Sequence, residues 1–408
     1  MNVLFVSLEA NKESKRDNIT YNFIVKEMVA LQEKGVNVFF LSFLGRSGEV
    51  QGIPVISAKS LMGEIAILRR ISILWLLLRN INFINNFSLK NLREIIWQFY
   101  CEKAIILCVQ KYKIDIIHTH FFSPDGGSAT IAKKYCHIPV IATCRGAEIC
   151  NMPEFNYGAM RNKLYRAAVT KAIPLIDAVT VPNKYYKKQL IETFPNIDIS
   201  RVEVLYNGVE QIAVKKDNKV VGKETTFIVI GNFIPLKNHK LIFEAVDLLS
   251  ERFCFKVIIV GDGILKENMQ ELVRKNYKQN ILLHPEVPKN KLFKMIASAD
   301  CLLHPSFSEG GSNVTIESLA IGTPCIVSDI PSMQKEIIKD GVNGFLFDPF
   351  DPTALAERMD YVIQHREDMI RMAPACRASV EPYSLDRKIE GYLNLYQDLA
   401  EPKSEGYG

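Results

Sequence analysis

The sequence predicts two α/β domains in tandem, each built on a mainly parallel sheet. Short apolar runs alternate with helical segments from the first residues onward, and the alternation restarts after residue 223. Strands that are buried on both faces read as continuous apolar runs, which is typical of parallel sheets covered by helices. The length of 408 residues also exceeds what a single core usually accommodates.

The first half is expected to hold five strands around an early helix. Gly35 ends that helix, which we expect over Ile19–Lys34. The predicted strands are Val3–Ser7, Val36–Ser42, Ile114–His120, Pro139–Thr143 and Ala178–Pro182.

The second half repeats this alternation, with shorter segments between its predicted strands and helices. Its predicted strands are Thr225–Gly231, Cys254–Gly261, Ile281–His284, Cys301–His304 and Pro324–Ser328. Its predicted helices are Asn238–Ser250, Ile264–Asn276, Asn290–Ser298 and Asn313–Ala320. The polar, lysine-rich stretch Gln211–Lys223 is interpreted as a linker. We therefore expect domains at 1–212 and 213–381, followed by an amphipathic helix in 382–408 that crosses back to the first domain.

Charge is distributed unevenly between the two halves. Residues 1–212 carry 26 Lys and Arg against 18 Asp and Glu, whereas the remainder carries 24 against 27. Most of the basic excess lies in Lys59–Lys113, with nine basic and three acidic residues. A basic, leucine- and aromatic-rich amphipathic helix suits an anionic membrane surface. Alternatively, the same segment could form a pair of helices that packs on the first sheet. Nucleic acid is disfavoured because no binding-fold signature accompanies the charge.

The cysteines and the first residues favour the cytoplasm. Nine cysteines form no C-x-x-C pair and no ladder with zinc spacing, so buried free thiols and no metal site are expected. Met1–Ser7 is interpreted as the start of a buried strand, not as an export signal. No run reaches the ~18–20 apolar residues that span a bilayer.

The strongest functional signal is the segment His304–Pro324. A strand ends at His304, a loop of small residues follows, and a helix begins at Asn313. Free N–H groups and the dipole at such a helix start attract phosphate, and glycines allow close approach of a ligand. Glu309 precedes the helix and Glu317 lies inside it, so both are expected to face one crevice at the carboxyl edge of the sheet. The loop could equally be a flexible connector with two ordinary surface charges.

Other glycine-flanked strand ends in the second half support a ligand site. Gly231 and Asn232 follow the first strand of this half, and Lys237 precedes the next helix. Lys237 would place a cation beside the phosphate-binding loop. The turns Val260–Gly263 and Asp340–Gly344 are similar in composition, although each could be a plain connector.

Taken together, these residues resemble the GT-B glycosyltransferases of family 4, which are retaining and use nucleotide-sugar donors. The resemblance rests on Pro305–Gly310 continuing to Glu317, Ala320, Gly322 and Pro324, a Glu-x7-Glu signature. The G-x5-K loop, the Gly-Asp-Gly turn and the D-G-x-N-G-F turn are similar too. In the first half the likeness is looser and rests on His118–His120, Thr143–Glu148 and Tyr206–Val209.

The resemblance implies a fold, a mechanism and roles for residues. Two Rossmann-like domains would face each other across a cleft, without a metal or other cofactor. Glu317 would bind the ribose of a UDP- or GDP-sugar, and Glu309 would contact the donor sugar. The diphosphate would lie against Lys237 and the amides of Gly310, Gly311 and Ser312, and the donor would also be bound by Asn313, Gly231 and Asn232. The acceptor would be a glycan or lipid-linked saccharide in surface polysaccharide synthesis, at the cytoplasmic face of a membrane.

Three features depart from the family pattern. Asn232 stands where the family commonly has Arg, so one diphosphate cation is missing. Arg145, where many relatives have His, is a candidate substitute and a candidate catalytic residue. The first loop, Leu8–Thr20, lacks the usual glycine pair. His118 and His120 could be functional or ordinary hydrogen-bonded residues at a sheet edge.

Other classes of protein fit less well. A sugar-nucleotide epimerase of the same fold would lack the Glu-x7-Glu signature, and a periplasmic binding protein would need an export signal. A dinucleotide dehydrogenase needs G-x-G-x-x-G after its first strand, but no glycine occurs between Ser7 and Gly35. A catalytically altered relative is the main alternative because of Asn232.

Overall fold

A computed structural model describes residues 1–7, 18–43, 45–63, 89–122, 126–216 and 224–401. Two parallel-sheet units follow each other along the chain, as the strand and helix alternation predicts. Of the predicted features, the core of the basic segment around Arg69 and Arg70 lies outside the described residues, as does most of the first loop.

The first sheet has eight strands in the order β3-β4-β2-β1-β5-β6-β7-β8. Every neighbouring pair is parallel except β3 with β4, which form a hairpin that the sequence analysis missed. Positive φ angles at Gln51 and Gly52 (50° and 82°) suit its two-residue turn. The strands are β1 (Asn2–Ser7), β2 (Asn37–Ser42), β3 (Gly48–Val50), β4 (Ile53–Ser57), β5 (Ile116–His120), β6 (Val140–Thr143), β7 (Ala178–Val181) and β8 (Val202–Val204).

Helices cover both faces of this sheet. They are α1 (Asn18–Glu33), α2 (Ala58–Gly63), α3 (Leu89–Tyr112), α4 (Gly127–Cys136), α5 (Lys163–Ala172) and α6 (Lys184–Thr193). Helix α3 carries the end of the basic segment, and it packs against α4 and the sheet through Cys101, Ile105 and Cys108, all fully buried. The described end of that segment is therefore a core helix, as the helix-packing interpretation expects.

The second sheet has six parallel strands in the order β11-β10-β9-β12-β13-β14. They are β9 (Thr225–Ile230), β10 (Phe255–Val260), β11 (Ile281–His284), β12 (Cys301–His304), β13 (Cys325–Ser328) and β14 (Gly344–Phe347). The chain leaves β9 toward β10 and later returns to β9's other side as β12. Such a reversal opens a crevice at the carboxyl ends of the two central strands.

Eight helices accompany the second sheet. They are α7 (His239–Leu249), α8 (Lys266–Leu272), α9 (Lys289–Ser298), α10 (Asn313–Ile321), α11 (Met333–Ile337), α12 (Pro352–Gln364), α13 (Arg366–Arg371) and α14 (Ala373–Ser379). The helix expected over Ile264–Asn276 is shorter, because its second half, Val273–Tyr277, forms wider π-type turns. In the expected linker, Ile212 and Lys216 are buried, and Lys216 Nζ donates to the Ala299 carbonyl of the second unit.

The last helix, α15 (Leu385–Ala400), returns to the first unit. Its buried face, Ile389, Tyr392 and Tyr396, joins the core formed by Val3 and Phe5 of β1. The segment leading into it lies beside the chain that leaves the first unit, since Leu385 N donates to Val209 O at 2.9 Å. The two units are thus connected by two adjacent chain crossings.

Neither a membrane-spanning helix nor a disulfide occurs in the described part of the chain. No described helix is both long and apolar enough to cross a bilayer. All nine cysteines are unpaired; Cys254 is exposed, Cys136 is half-buried, and the other seven are buried.

Packing of the last helix predicts a clear stability difference between two faces of α15. Ile389→Ala should lower the free energy of unfolding by about 2–5 kcal/mol because it leaves a cavity in the shared core. Asn394→Ala, on the exposed face, should change it by less than about 0.5 kcal/mol. Urea unfolding followed by circular dichroism measures both; equal values would contradict the packing.

Candidate functional site

Lys237 and Glu309 meet where the loops after β9 and β12 converge. Lys237 Nζ donates a short hydrogen bond to Glu309 Oε1, and His304 Nε2 lies 2.7 Å from the same oxygen. The side chain of Glu309 is only 11% exposed. The topology explains this meeting, because β9 and β12 are neighbours at the reversal of strand order.

Glu309 is a buried carboxylate held in its charged form. Burial by itself would raise its pKa, but Lys237 and His304 outweigh burial and hold the pKa of Glu309 well below its usual range. His304 is fixed in turn by the hydroxyls of Ser306 and Ser312, at 3.3 and 3.4 Å from Nε2. The second unit therefore presents an ionised carboxylate and an ammonium group at its crevice.

His239 is a further buried group beside this cluster. It begins helix α7, its ring stands edge-on to Phe233 at 5.3 Å, and neither ring nitrogen has a partner among the described residues. Burial and the charges of Lys237 and His304 lower the pKa of His239 to about 4. The imidazole is therefore neutral near pH 7, which sequence reasoning did not anticipate.

The loop Glu309–Ser312 leads directly into helix α10. Ser312 caps the helix by accepting from Thr315 N at 3.4 Å. Within the described part of the chain, the N–H groups of Gly311 and Ser312 donate to no partner. The loop therefore keeps the free donors that the sequence pattern predicts.

Glu317 lies inside α10 and faces a different neighbour from Glu309. Its side chain is 7% exposed, and Lys289 Nζ of α9 lies 2.6 Å from its Oε1. Glu317, Asn313 and Lys289 line a cavity whose opposite wall includes Arg145 and Asn207 of the first unit. Glu309 does not line this cavity, so the two glutamates serve adjacent parts of the cleft and not one shared crevice.

Arg145 contributes the first unit's side of the cavity, but its charge is already paired. Its guanidinium binds both carboxylate oxygens of Glu27, at 2.7 and 3.1 Å. Lys388 of α15 lies on the same carboxylate at 2.9 Å. Burial would raise the pKa of Glu27, but Arg145 and Lys388 lower it far below its usual range. Arg145 is therefore not free to bind the diphosphate, contrary to the expectation that it replaces the missing Arg.

The two histidines of β5 differ in their surroundings. His118 is bonded at both nitrogens, to Tyr396 Oη at 2.6 Å and Thr143 Oγ1 at 2.7 Å, and burial lowers its pKa to about 3. His120 stacks on it at 4.9 Å and accepts from Arg145 at 3.0 Å, while its Nε2 has no partner among the described residues. His118 thus matches the interpretation as an ordinary hydrogen-bonded residue.

The remaining predicted residues lie at the edge of the site. Gly231 packs against the stem of Lys237, since a Cβ there would lie 3.6 Å from its Cδ. Asn232 is exposed. The described residues include no cluster of three or more His, Cys, Asp or Glu that could hold a metal ion.

Several residues of the cleft escaped the sequence analysis. Glu27, Lys289 and Lys388 stand in ordinary amphipathic helices, where charged residues are usually solvent-exposed. Their partners come from other elements, and Glu27 and Lys388 are separated by 361 positions. Lys289 offered the one available signal, since it follows the carboxyl end of β11 at the edge where the site lies.

Comparison with known proteins identifies the family. Residues 28–211 match Glycosyltransferase Family 4, and residues 210–378 match Glycosyl transferases group 1. The chain belongs to the group 1, family 4 glycosyltransferases. Together the two matches cover residues 28–378, which include every strand of both sheets except β1, and the fold of this glycosyltransferase is GT-B.

Relatives and solved structures agree with this assignment. The glycosyltransferase is 27% identical to an uncharacterized glycosyltransferase of Methanocaldococcus jannaschii, over 79% of this chain and 86% of the relative. It is 25% identical to N-acetylgalactosamine-N,N'-diacetylbacillosaminyl-diphospho-undecaprenol 4-alpha-N-acetylgalactosaminyltransferase of Campylobacter jejuni, over 61% and 66%. Among structures, Anabaena HepE in complex with UDP-glucose superposes with a TM-score of 0.69 at 14% identity, over 98% of this chain and all of that one.

The buried carboxylate of the glycosyltransferase predicts a large stability effect. Glu27→Ala would leave Arg145 and Lys388 buried without their counter-charge, so the free energy of unfolding should fall by about 3–5 kcal/mol. Glu210→Ala removes the partner of Lys26 at the surface and should cost less than about 1 kcal/mol. Denaturant unfolding compares them, and a similar small loss in both would contradict the role of Glu27.

Proposed function

We propose that the protein is a retaining glycosyltransferase that moves a sugar from a UDP- or GDP-sugar to a glycan or lipid-linked acceptor. The observation that carries this proposal is the arrangement at the second sheet. A partly buried ammonium–carboxylate pair, Lys237 and Glu309, lies at the switch point beside the unpartnered amides that precede α10. Anionic leaving groups are bound by such donors in many proteins.

The donor nucleotide would occupy the cavity lined by Glu317. A carboxylate can accept from both hydroxyls of a ribose, and only 7% of this side chain is exposed. Lys289 already bonds to it and would hold the carboxylate in place or shift toward a phosphate. The UDP-glucose bound to HepE supports a nucleotide-sugar as the donor class.

The diphosphate would lie against Lys237 and the amides of the Gly310–Ser312 loop, with Asn313 close by. These fixed donors stabilise negative charge as it develops, without a metal ion or another cofactor. Asn313 Oδ1 is buried without a partner among the described residues and lines the same cavity. Gly231 would give the phosphates room beside Lys237.

The transfer step would take place beside Glu309. The bond from the anomeric carbon to the phosphate oxygen breaks, and a bond to the acceptor oxygen forms on the same face. The proton of the acceptor hydroxyl passes to the departing phosphate. Glu309 would orient the donor sugar by accepting from its hydroxyls, and Arg145 would hold the wall of the cleft through Glu27.

The acceptor is proposed to belong to a surface polysaccharide pathway at the cytoplasmic face of a membrane. The Campylobacter jejuni relative is named for transfer onto a diphospho-undecaprenol saccharide. The basic excess of Lys59–Lys113 supports contact with an anionic surface that carries such lipids.

Removing one carboxylate tests the donor site. Glu317→Ala should abolish measurable binding of UDP or GDP, or weaken it by more than about 100-fold, because it removes two charge-assisted hydrogen bonds to the ribose. Isothermal titration calorimetry and donor hydrolysis measure the effect. The exposed Glu251→Ala is the matched control and should bind as the unchanged protein does.

Two outcomes would count against the proposal. If neither UDP nor GDP raises the melting temperature of the unchanged protein, the donor assignment is wrong. If nucleotide binds but no panel of sugar donors is hydrolysed or transferred, the protein is a catalytically altered relative, in keeping with Asn232 in place of Arg.

Flotation with vesicles tests the membrane proposal. Changing both Arg69 and Arg70 to Glu should shift the protein away from vesicles that contain phosphatidylglycerol, because each lost cation removes about 1 kcal/mol of attraction. The matched control changes Lys134 and Lys163, two exposed lysines of the first unit, to Glu. Unchanged partitioning of the Arg69/Arg70 variant would contradict a surface role for this segment.

A further inference from the structure

The glycine loop of the second unit is held by two asparagines of the first. Asn183 Nδ2 donates to the Gly310 carbonyl, and Asn207 Nδ2 donates to the Gly311 carbonyl at 3.2 Å. Asn183 is fully buried, so its hydrogen bond forms away from water. Both hydrogen bonds cross the cleft, and they hold two successive peptide groups of the loop.

Both asparagines are themselves fixed by their own unit. Asn183 caps helix α6, with Oδ1 accepting from Tyr186 N at 2.7 Å. Asn207 Oδ1 accepts from Lys388 Nζ at 3.4 Å and faces Arg145 at 3.5 Å. Their amide groups therefore point at the loop with little rotational freedom.

The glycines permit this close approach. A Cβ on Gly310 would lie 2.6 Å from the Arg145 carbonyl oxygen, and one on Gly311 would lie 2.5 Å from Asn207 Nδ2. A side chain at position 310 would push against the backbone of the first unit, and one at position 311 would displace the Asn207 amide from the loop. The small residues that the sequence analysis assigned to ligand approach are thus required for contact between the units.

A carbonyl and the N–H of the same trans peptide group point in opposite directions. When Asn183 holds the Gly310 carbonyl, the N–H of Gly311 points away from the first unit's asparagine. When Asn207 holds the Gly311 carbonyl, the N–H of Ser312 points away from Asn207 in the same way. Neither of these two N–H groups has a partner within the described part of the chain, and the same holds for the N–H groups of Glu309 and Gly310 before them.

We infer that Asn183 and Asn207 are positioning residues that aim the Gly311 and Ser312 amides at the donor's diphosphate, so that docking of the first unit completes the phosphate site. This inference rests on the proposed function and adds a coupling to it: two asparagines of the first unit control affinity for the phosphates, whereas Glu317 of the second unit would bind the ribose. Without such support a glycine-rich loop adopts many backbone conformations, because glycine has the largest conformational freedom, and its amides then have no fixed orientation.

The test compares a nucleoside with its diphosphate on matched variants. Asn207→Asp and Asn183→Asp keep the shape and the accepted bonds but cannot donate to a carbonyl. Asn207→Ala removes the donor without adding charge. Calorimetry measures Kd for UDP and uridine, and for GDP and guanosine, with the full-length protein. Each variant should bind the diphosphate about fivefold to tenfold more weakly, the equivalent of one hydrogen bond. Nucleoside affinity should stay unchanged in Asn183→Asp, and it should fall less than diphosphate affinity in the Asn207 variants, because Asn207 also lines the nucleotide cavity.

A control separates this effect from general loosening of the cleft. Tyr206→Phe removes another hydrogen bond between the units, from Tyr206 Oη to Glu336 at 2.8 Å, without touching the loop. It should leave the ratio of diphosphate to nucleoside affinity unchanged. Unliganded melting temperatures verify that every variant is folded.

Each result has a defined meaning. A selective loss of diphosphate affinity in Asn207→Ala and in both aspartate variants supports the inference. Loss in the aspartate variants alone would reflect added charge and overturns it, as does equal loss for nucleoside and diphosphate. If the unchanged protein binds no nucleotide at all, the proposed function fails first and the inference falls with it.

Discussion

One buried carboxylate, Glu27, connects the parts of the molecule that form the cleft. Two cations from distant parts of the chain bind it: Arg145, which is largely buried, and Lys388, which is fully buried. Without that counter-charge, neither cation could stay out of water at an acceptable cost. Through them the last helix is tied to the first sheet, and Asn207 is held beside the glycine loop. Stability of the first unit and geometry at the cleft therefore depend on the same ion cluster.

The second unit has a similar cluster, in which the carboxylate of Glu309 is bound by Lys237 and His304. In both clusters burial opposes ionisation and nearby positive or donor groups overcome it, so both carboxylates have a lowered pKa. Because the folded pKa lies below the unfolded one, the resulting stability is fully present above the ordinary carboxyl pKa. It is lost as the pH falls through the folded values. Acid therefore weakens the core of the first unit and the cleft of the second together.

Lys388 has the opposite behaviour, since burial and Arg145 lower its pKa to about 8 despite Glu27. A buried lysine whose folded pKa lies below the unfolded value opposes folding while charged, and this cost declines as the pH rises through the folded value. Lys388 also donates to Asn207 Oδ1 at 3.4 Å, which connects α15 to the chain segment that contacts the loop of the second unit.

Much of the fold and part of the site were predictable from the residues. The strands Ile281–His284 and Cys301–His304 appear with the predicted bounds, because continuous apolar runs between turns leave little choice of structure. Hairpin β3-β4 and strand β8 were missed, since β3 (Gly-Glu-Val) and β8 (Val-Glu-Val) each have a charged residue among only three, and Pro54 interrupts the apolar run of β4. The prediction that Glu309 and Glu317 share one crevice was too simple, because the direction of each side chain depends on its partner, Lys237 or Lys289.

The sequence by itself determined the two parallel-sheet units, the family, and the loop from His304 to Asn313 as the place of a ligand site. These follow from local pattern, because apolar periodicity and glycine placement act over a few residues. Only the tertiary structure decided that Glu27, Arg145 and Lys388 form one cluster and that Asn183 and Asn207 hold the glycine carbonyls. Pairings between residues 104 to 361 positions apart depend on how helices and units dock, and a local sequence pattern carries no information about that docking.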